Sequence, residues 1–307
     1  MRSLLLRDYG GETAAQVSES PQPLAGAGQV LVRVRAAGIN PLDWKIREGD
    51  VRDAFPLALP AVLGIELAGV VEAVGAGASR FRVGDRVMGP LGGLGAYAEL
   101  VAVDEARLAR TPPSLSDVEA AAIPVAALAG WQSLNLAGAI RPGSRVLVHG
   151  AAGALGGFAV QFARQAGAFV VGTARAEDLD YVRSLGADQA VDYRSQRFED
   201  VVDDIDLVLA YVGGDVIDRS WKVLNRTGAM VGTASPEILA RIPEGRQGHW
   251  FVMQPDAALL ERLAADVASG ALRSRIGEVV GFDDIPAAIE RNRTGAHRGK
   301  TVADFTR

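Results

Sequence analysis

Residues 149–156 read His149-Gly150-Ala151-Ala152-Gly153-Ala154-Leu155-Gly156, a run of small side chains between the apolar stretch RVLVHG and a segment with helical apolar spacing. A strand, a glycine turn and a helix in that order can hold a dinucleotide pyrophosphate. Small residues let the backbone approach the phosphates, and the helix start offers unpaired N–H groups with a partial positive charge. Ala151 stands where the usual pattern has its first glycine. The same run would also serve as a tight strand–helix turn packed for steric reasons alone. The strand–helix alternation that follows favours the cofactor.

The next apolar strand ends in Gly172-Thr173-Ala174-Arg175, where sites for NAD carry an acidic residue on the ribose 2′-hydroxyl. A guanidinium there pairs with a 2′-phosphate, which points to NADPH. The alternative is a solvated arginine at a helix start, with Glu177 and Asp178 close by.

Composition narrows the chemistry further. The 307 residues contain no cysteine, so disulfides and thiolate zinc sites are excluded, and His149, His249 and His297 lack metal-ligand spacing. No metal site is expected. A net charge of −5 and the absence of a long Lys/Arg run argue against nucleic acid. The start MRSLLLRDYGG is too short an apolar run for a signal-peptide core, and no apolar stretch has membrane-spanning length, so a cytoplasmic chain without membrane insertion is expected.

A chain of this length needs more than one core, and its texture changes part-way. Residues 30–35, 69–74, 86–88 and 97–103 read as short strands among Gly and Pro turns, a barrel-like β domain. Ser116 with Glu119 three residues on has the spacing of a capping box and opens a helical stretch rich in Ala and Leu. From Arg145 strands and helices alternate: RVLVHG, a helix through 158–165, FVVGTA, a helix ending near Leu185, QAVDY, DLVLAYV, a helix near 216–224, and AMVGT. That pattern predicts a parallel sheet covered on both faces. PDAALLERLAADVASGAL reads as a long helix ending at Gly270, and the tail returns to strand, helix, strand.

Five blocks in order, AAGINPLDWKIREG, LGIELAGVVEAVGAGASRFRVGDRVMG, HGAAGALGGFAVQFARQAGA, LGADQAVDY and RGKTV, resemble the medium-chain dehydrogenase/reductase superfamily and, within it, the zinc-free quinone oxidoreductase branch. The resemblance implies an α/β chain of two domains: a GroES-like β-barrel catalytic domain from residues 1–117 and 264–307, and a Rossmann doubly wound parallel-sheet NADPH-binding domain from residues 118–263. It also implies a homodimer. Zinc-dependent members carry a histidine where this chain has Ile65, between Gly64 and Glu66. Without a Lewis acid, reduction of a conjugated acceptor is the natural chemistry, since a quinone or enone delocalises the arriving charge.

The resemblance places Asn40 beside nicotinamide and substrate, its amide available to an oxygen gathering charge; Asn40 before Pro41 is equally a turn starter. Asp43 either orients the neighbouring backbone or caps a short helix. Lys45 stands where several relatives have tyrosine, and is either a proton or hydrogen-bond donor or a solvated turn lysine. Thr173, Ala174, Arg175, Tyr193, Val212, Gly213, Gly232 and Thr233 follow as cofactor contacts at strand ends. Tyr193 is alternatively a half-buried strand residue, and Lys300 is a contact to the cofactor phosphate or surface charge. Trp44, Trp131, Trp250 and Phe251 are assigned to the acceptor pocket, with Trp131 alternatively core and the HWFVM segment alternatively a strand edge at a subunit contact. Three functions stand open: NADPH-dependent quinone reduction, enoyl reduction of a 2-alkenal or polyketide-type enone, and non-catalytic NADPH binding.

Overall fold

The computed structural model describes every residue except 139, 235, 296 and 297, so His297 lies outside the described residues. The chain forms two compact units, Met1–Val125 with Pro255–Arg307, and Ala126–Gln254.

The first unit opens with β1 (Arg2–Leu6), β2 (Ala15–Glu19) and the eleven-residue β3 (Gln29–Ile39), then α1 (Pro41–Glu48). It continues through β4 (Ala61–Val62), β5 (Glu66–Val74), β6 (Arg86–Pro90), β7 (Leu100–Asp104), β8 (Ala109–Arg110) and α2 (Asp117–Ala121). β3 is the hub, pairing antiparallel with both β5 and β7. Leu4, Leu6, Val30, Val32, Val34, Leu67 and Tyr97 are among the buried residues of its core.

Ser116 and Glu119 form the expected capping box at the start of α2. The helical stretch is not continuous, however: α2 stops at Ala121 and α3 (Pro124–Leu136) begins anew at a proline, which has no N–H to give and restricts the residue before it.

The second unit holds β9 (Arg145–His149), α4 (Ala154–Gln165), β10 (Phe169–Ala174), α5 (Leu179–Ser184), β11 (Gln189–Asp192), β12 (Ile205–Ala210), α6 (Asp215–Ser220), β13 (Leu224–Gly232) and β14 (Gln247–Trp250). The strands are all parallel, in the order β11-β10-β9-β12-β13-β14. That is the dinucleotide-binding order, with the reversal between β9 and β12. Two elements differ from the expectation. The helix near 216–224 is the shorter α6, because β13 already begins at Leu224, and the HWFVM segment contributes the end of an additional parallel strand, β14, at the sheet's edge.

The tail, α7 (Ala257–Ala268), β15 (Ile276–Gly281), α8 (Ile285–Arg293) and β16 (Lys300–Asp304), rejoins the first unit, where β16 pairs with β3. The units divide at Val125 and Gln254 rather than at 117 and 263. The shift has a packing cause: α2 lies on β3 and β5, and α7 sits against β8, so both helices belong wholly to the first unit. Among the described residues, no helix is long and apolar enough to cross a membrane.

Candidate active site

In the second unit the turn after β9 is built for close approach. Gly150 has φ +70°, Ala151 N–H donates to Thr173 O at 3.1 Å, and Gly153 N–H to Gly150 O at 3.0 Å. A Cβ on Gly156 would lie 2.1 Å from Gly150 O, so this turn admits no side chain there. The methyl of Ala151, absent from the usual pattern, is accommodated because Gly172 on β10 has none: a Cβ there would meet it at 2.8 Å. Gly153 is the N-cap of α4 and makes no side-chain cap bond, leaving the first amides of the helix to a ligand. These features fit a dinucleotide pyrophosphate.

At the end of β10, Arg175 Nε donates to the hydroxyl of Tyr193, 3.3 Å away, so two of the residues assigned to the cofactor meet there. Tyr193 is 48% exposed and Ala174 is buried. Thr173 turns inward, its hydroxyl 3.1 Å from His149 Nδ1, while His149 Nε2 lies 2.9 Å from Ser220 Oγ. Ser220 gives its own hydrogen to Val216 O at 2.6 Å, so Nε2 carries the ring proton and Nδ1 accepts from Thr173. Burial holds His149 down to about 3, a neutral imidazole. Val212 is 36% exposed, Gly213 faces open space, Gly232 closes β13 and Thr233 follows it half-buried.

The four residues assigned to the acceptor pocket have separate settings. Trp131 meets Phe162 edge-on at 5.3 Å, and Trp250 packs, half-buried, against the core of the sheet. Phe251 N–H donates to Gly232 O at 3.3 Å. In the first unit, Trp44 packs on the core and carries the Lys45 ammonium 5.4 Å above its ring.

The first unit also contains a buried polar cluster around Asn40, the N-cap of α1. Asn40 is 6% exposed. Its Oδ1 accepts from Lys300 Nζ at 2.6 Å, and its Nδ2 donates to Glu66 Oε1 at 2.9 Å and to Gly38 O at 3.2 Å. The orientation of the amide is fixed chemically, because an ammonium only donates and a carboxylate accepts. Lys300 Nζ also donates to Glu66 Oε1 at 2.5 Å, and Glu66 Oε2 accepts Val125 N–H, near the start of α3, at 2.7 Å. Lys300 is therefore not surface charge: it is 3% exposed, beside a carboxylate with no exposure.

Asp43 fills the position three residues into α1 and accepts Asn40 N–H at 2.7 Å, the capping half of its two expected roles, and Tyr97 Oη donates to the same Oδ2 at 2.6 Å. Burial pushes Asp43 up to about 7 and raises Tyr97 well above the ordinary tyrosine range. Glu66 and Tyr97 were not among the residues singled out in the sequence. The available signal was Glu66 itself, a lone carboxylate opening the apolar strand ELAGVV.

Among the described residues, no group of three or more His, Asp or Glu side chains is placed to hold a metal. The alcohol dehydrogenase GroES-like domain model matches residues 26–113, and a model described as zinc-binding dehydrogenase matches residues 185–302, in a chain that has no cysteine. A chloroplast envelope quinone oxidoreductase homolog of Arabidopsis thaliana is 36% identical over 64% of this chain, and the match spans 62% of that protein. The NADPH-dependent alkenal/one oxidoreductase of the same plant is 32% identical over 89% of this chain and 71% of its own. The solved quinone oxidoreductase of Coxiella burnetii superposes with a TM-score of 0.93 at 30% identity, covering 99% of each chain. A parallel sheet in dinucleotide-binding order, a GroES-like unit completed by the tail, and relatives that match across both place this chain in the medium-chain dehydrogenase/reductase superfamily.

Proposed function

We propose that this oxidoreductase reduces a quinone by hydride transfer from NADPH, without zinc. The observation that carries the reading is the turn of Gly150 to Gly156 at the reversal of the sheet, with Arg175 and Tyr193 joined at the adjacent strand end. The turn would hold the pyrophosphate on the first amides of α4, and Arg175 the 2′-phosphate. When bound, NADPH supplies the hydride. The chain supplies no thiolate for a zinc ion, so the acceptor must itself take up the charge, as a quinone does. Its oxygen gains negative charge with the hydride's electron pair, Asn40 is the candidate donor to that oxygen, and water or Lys45 returns the proton.

A 2-alkenal or another enone is the second acceptor class, favoured by the likeness to the alkenal/one oxidoreductase. Non-catalytic NADPH binding is the third reading. We read the molecule further as a homodimer in the cytoplasm, β14 being a terminal strand of its sheet. NADPH oxidation followed with a series of naphthoquinones and a series of enals separates the readings. Quinone turnover is the expected result. Turnover of enals alone moves the assignment to the second class, and NADPH binding with neither turnover moves it to the third.

A further inference from the structure

Asn40 does not stand alone. Its amide bridges the two halves of a buried ion pair, with Oδ1 on the Lys300 ammonium and one Nδ2 hydrogen on the Glu66 carboxylate. Glu66 is also bound by Lys300 and by the amide of Val125, so it stays satisfied whatever Asn40 does. The second Nδ2 hydrogen makes the longer contact, 3.2 Å to Gly38 O, and that carbonyl has the Tyr97 hydroxyl beside it at 3.1 Å. An acceptor oxygen arriving beside Gly38 O would share this hydrogen, with the amide left where Lys300 and Glu66 hold it.

We propose that Lys300 and Glu66 are positioning residues for Asn40, fixing the rotation of its amide, and that the Lys300 charge, acting through Oδ1, strengthens the Nδ2–H shared with the acceptor oxygen. A cation on an amide oxygen draws electron density from the nitrogen, and the effect is largest where water is excluded. Glu66 takes the other hydrogen and holds the amide against rotation. The inference rests on the reading that Asn40 serves the acceptor oxygen. It adds that the donor's strength comes from a lysine that does not itself touch the acceptor.

The consequence depends on the acceptor. A quinone spreads the arriving charge over its ring system and draws little on a single donor, whereas a simple enal concentrates it on one oxygen. Removing Lys300 should therefore slow enals more than quinones, while disorder of the turn should slow every acceptor alike.

The experiment compares Asn40→Ala, Lys300→Met and the double variant Glu66→Gln/Lys300→Met, which removes both buried charges together and so avoids leaving one unpaired. For each, kcat and KM are measured over acceptors graded from naphthoquinone to enal, with the NADPH dissociation constant and thermal unfolding as controls. Asn40→Ala is expected to lower kcat by about 100-fold, the size of losing one donor to a developing oxyanion. Lys300→Met and the double variant are expected to lose kcat steeply on enals and less on quinones, with NADPH affinity unchanged. An equal loss on all acceptors, or no loss, beside a slowed Asn40→Ala overturns the role of Lys300 and Glu66 alone. Unchanged turnover in Asn40→Ala overturns the assignment of Asn40 itself.

Discussion

Tyr97 Oη lies 2.6 Å from Asp43 Oδ2 and 3.1 Å from the carbonyl oxygen of Gly38, so a hydroxyl with one hydrogen faces two acceptors. When Asp43 is neutral, the carboxyl hydrogen on Oδ2 goes to Tyr97, and Tyr97 gives its own to Gly38. When Asp43 is ionised, the Tyr97 hydrogen goes to the carboxylate and is lost to Gly38 O, while Oδ1, buried with no partner among the described residues in either state, then shares a charge. Ionisation inside this core is therefore costly, consistent with burial raising Asp43 to about 7.

A folded-state pKa above the unfolded value makes stability largest at low pH and lost as pH rises. For Asp43 the window runs from 3.8, its ordinary value, to about 7. At about 1.4 kcal/mol per pKa unit, the loss across it is roughly 4 kcal/mol. Asp43→Asn should remove this slope, which urea unfolding at a series of pH values measures. An unaltered slope in the variant would mean that the carboxyl is ionised throughout.

His149 works in the opposite direction. Its folded pKa is depressed from 6.5 to about 3, so below 6.5 the unfolded chain takes up a proton that the folded chain refuses, and stability falls as pH falls toward 3. The two windows overlap from 3.8 to 6.5, where the opposite slopes offset each other, so His149→Gln should leave stability falling as pH rises there and Asp43→Asn should leave it rising. NMR titration should show one imidazole that stays neutral at pH 5, with its proton on Nε2.

The second unit was largely legible in the sequence, because apolar strands alternating with helices fix a parallel sheet and the glycine turn marks the strand end at its reversal. The cluster around Asn40 was not. It joins residues from α1, β5, β16 and the segment before β7 that only the antiparallel pairings of β3 bring together. Lys300 shows the limit most clearly. Beside Arg298 and Gly299 in a polar stretch, a lysine reads as surface charge or a phosphate contact, yet the pairing of Thr301 with Ile39 draws its side chain to Asn40 and Glu66. Trp131 and Trp250 were similarly ambiguous, since an aromatic residue stacks on a ligand or a core by the same physics. Thr173 turned to His149 because the imidazole at the end of the neighbouring strand needed a donor.

Arg175 offers a direct test of cofactor choice. Its guanidinium holds the Tyr193 hydroxyl through Nε and is the group that would pair with a 2′-phosphate. Arg175→Ala should weaken NADPH binding by about 2 kcal/mol, roughly thirtyfold, the scale of a hydrogen bond to a charged group, and leave NADH unchanged. Fluorescence titration with both nucleotides measures this. Equal losses for the two would show that Arg175 supports the turn and does not read the phosphate.

Two glycines separate the architecture of the turn from its occupancy. At Gly156 a Cβ would press on a backbone carbonyl oxygen 2.1 Å away, which cannot move aside as a side chain can, so Gly156→Ala should cost roughly 1–3 kcal/mol of stability as well as NADPH affinity. At Gly213 a Cβ would meet nothing within 4 Å, so Gly213→Ala should leave unfolding untouched. If the cofactor crosses the ends of β9 and β12, that same methyl stands in its path and should weaken NADPH binding about tenfold, or about 1.4 kcal/mol. Calorimetry of both variants, with and without NADPH, distinguishes the cases. Full NADPH affinity in Gly213→Ala would move the cofactor away from the end of β12, whatever Gly156→Ala does.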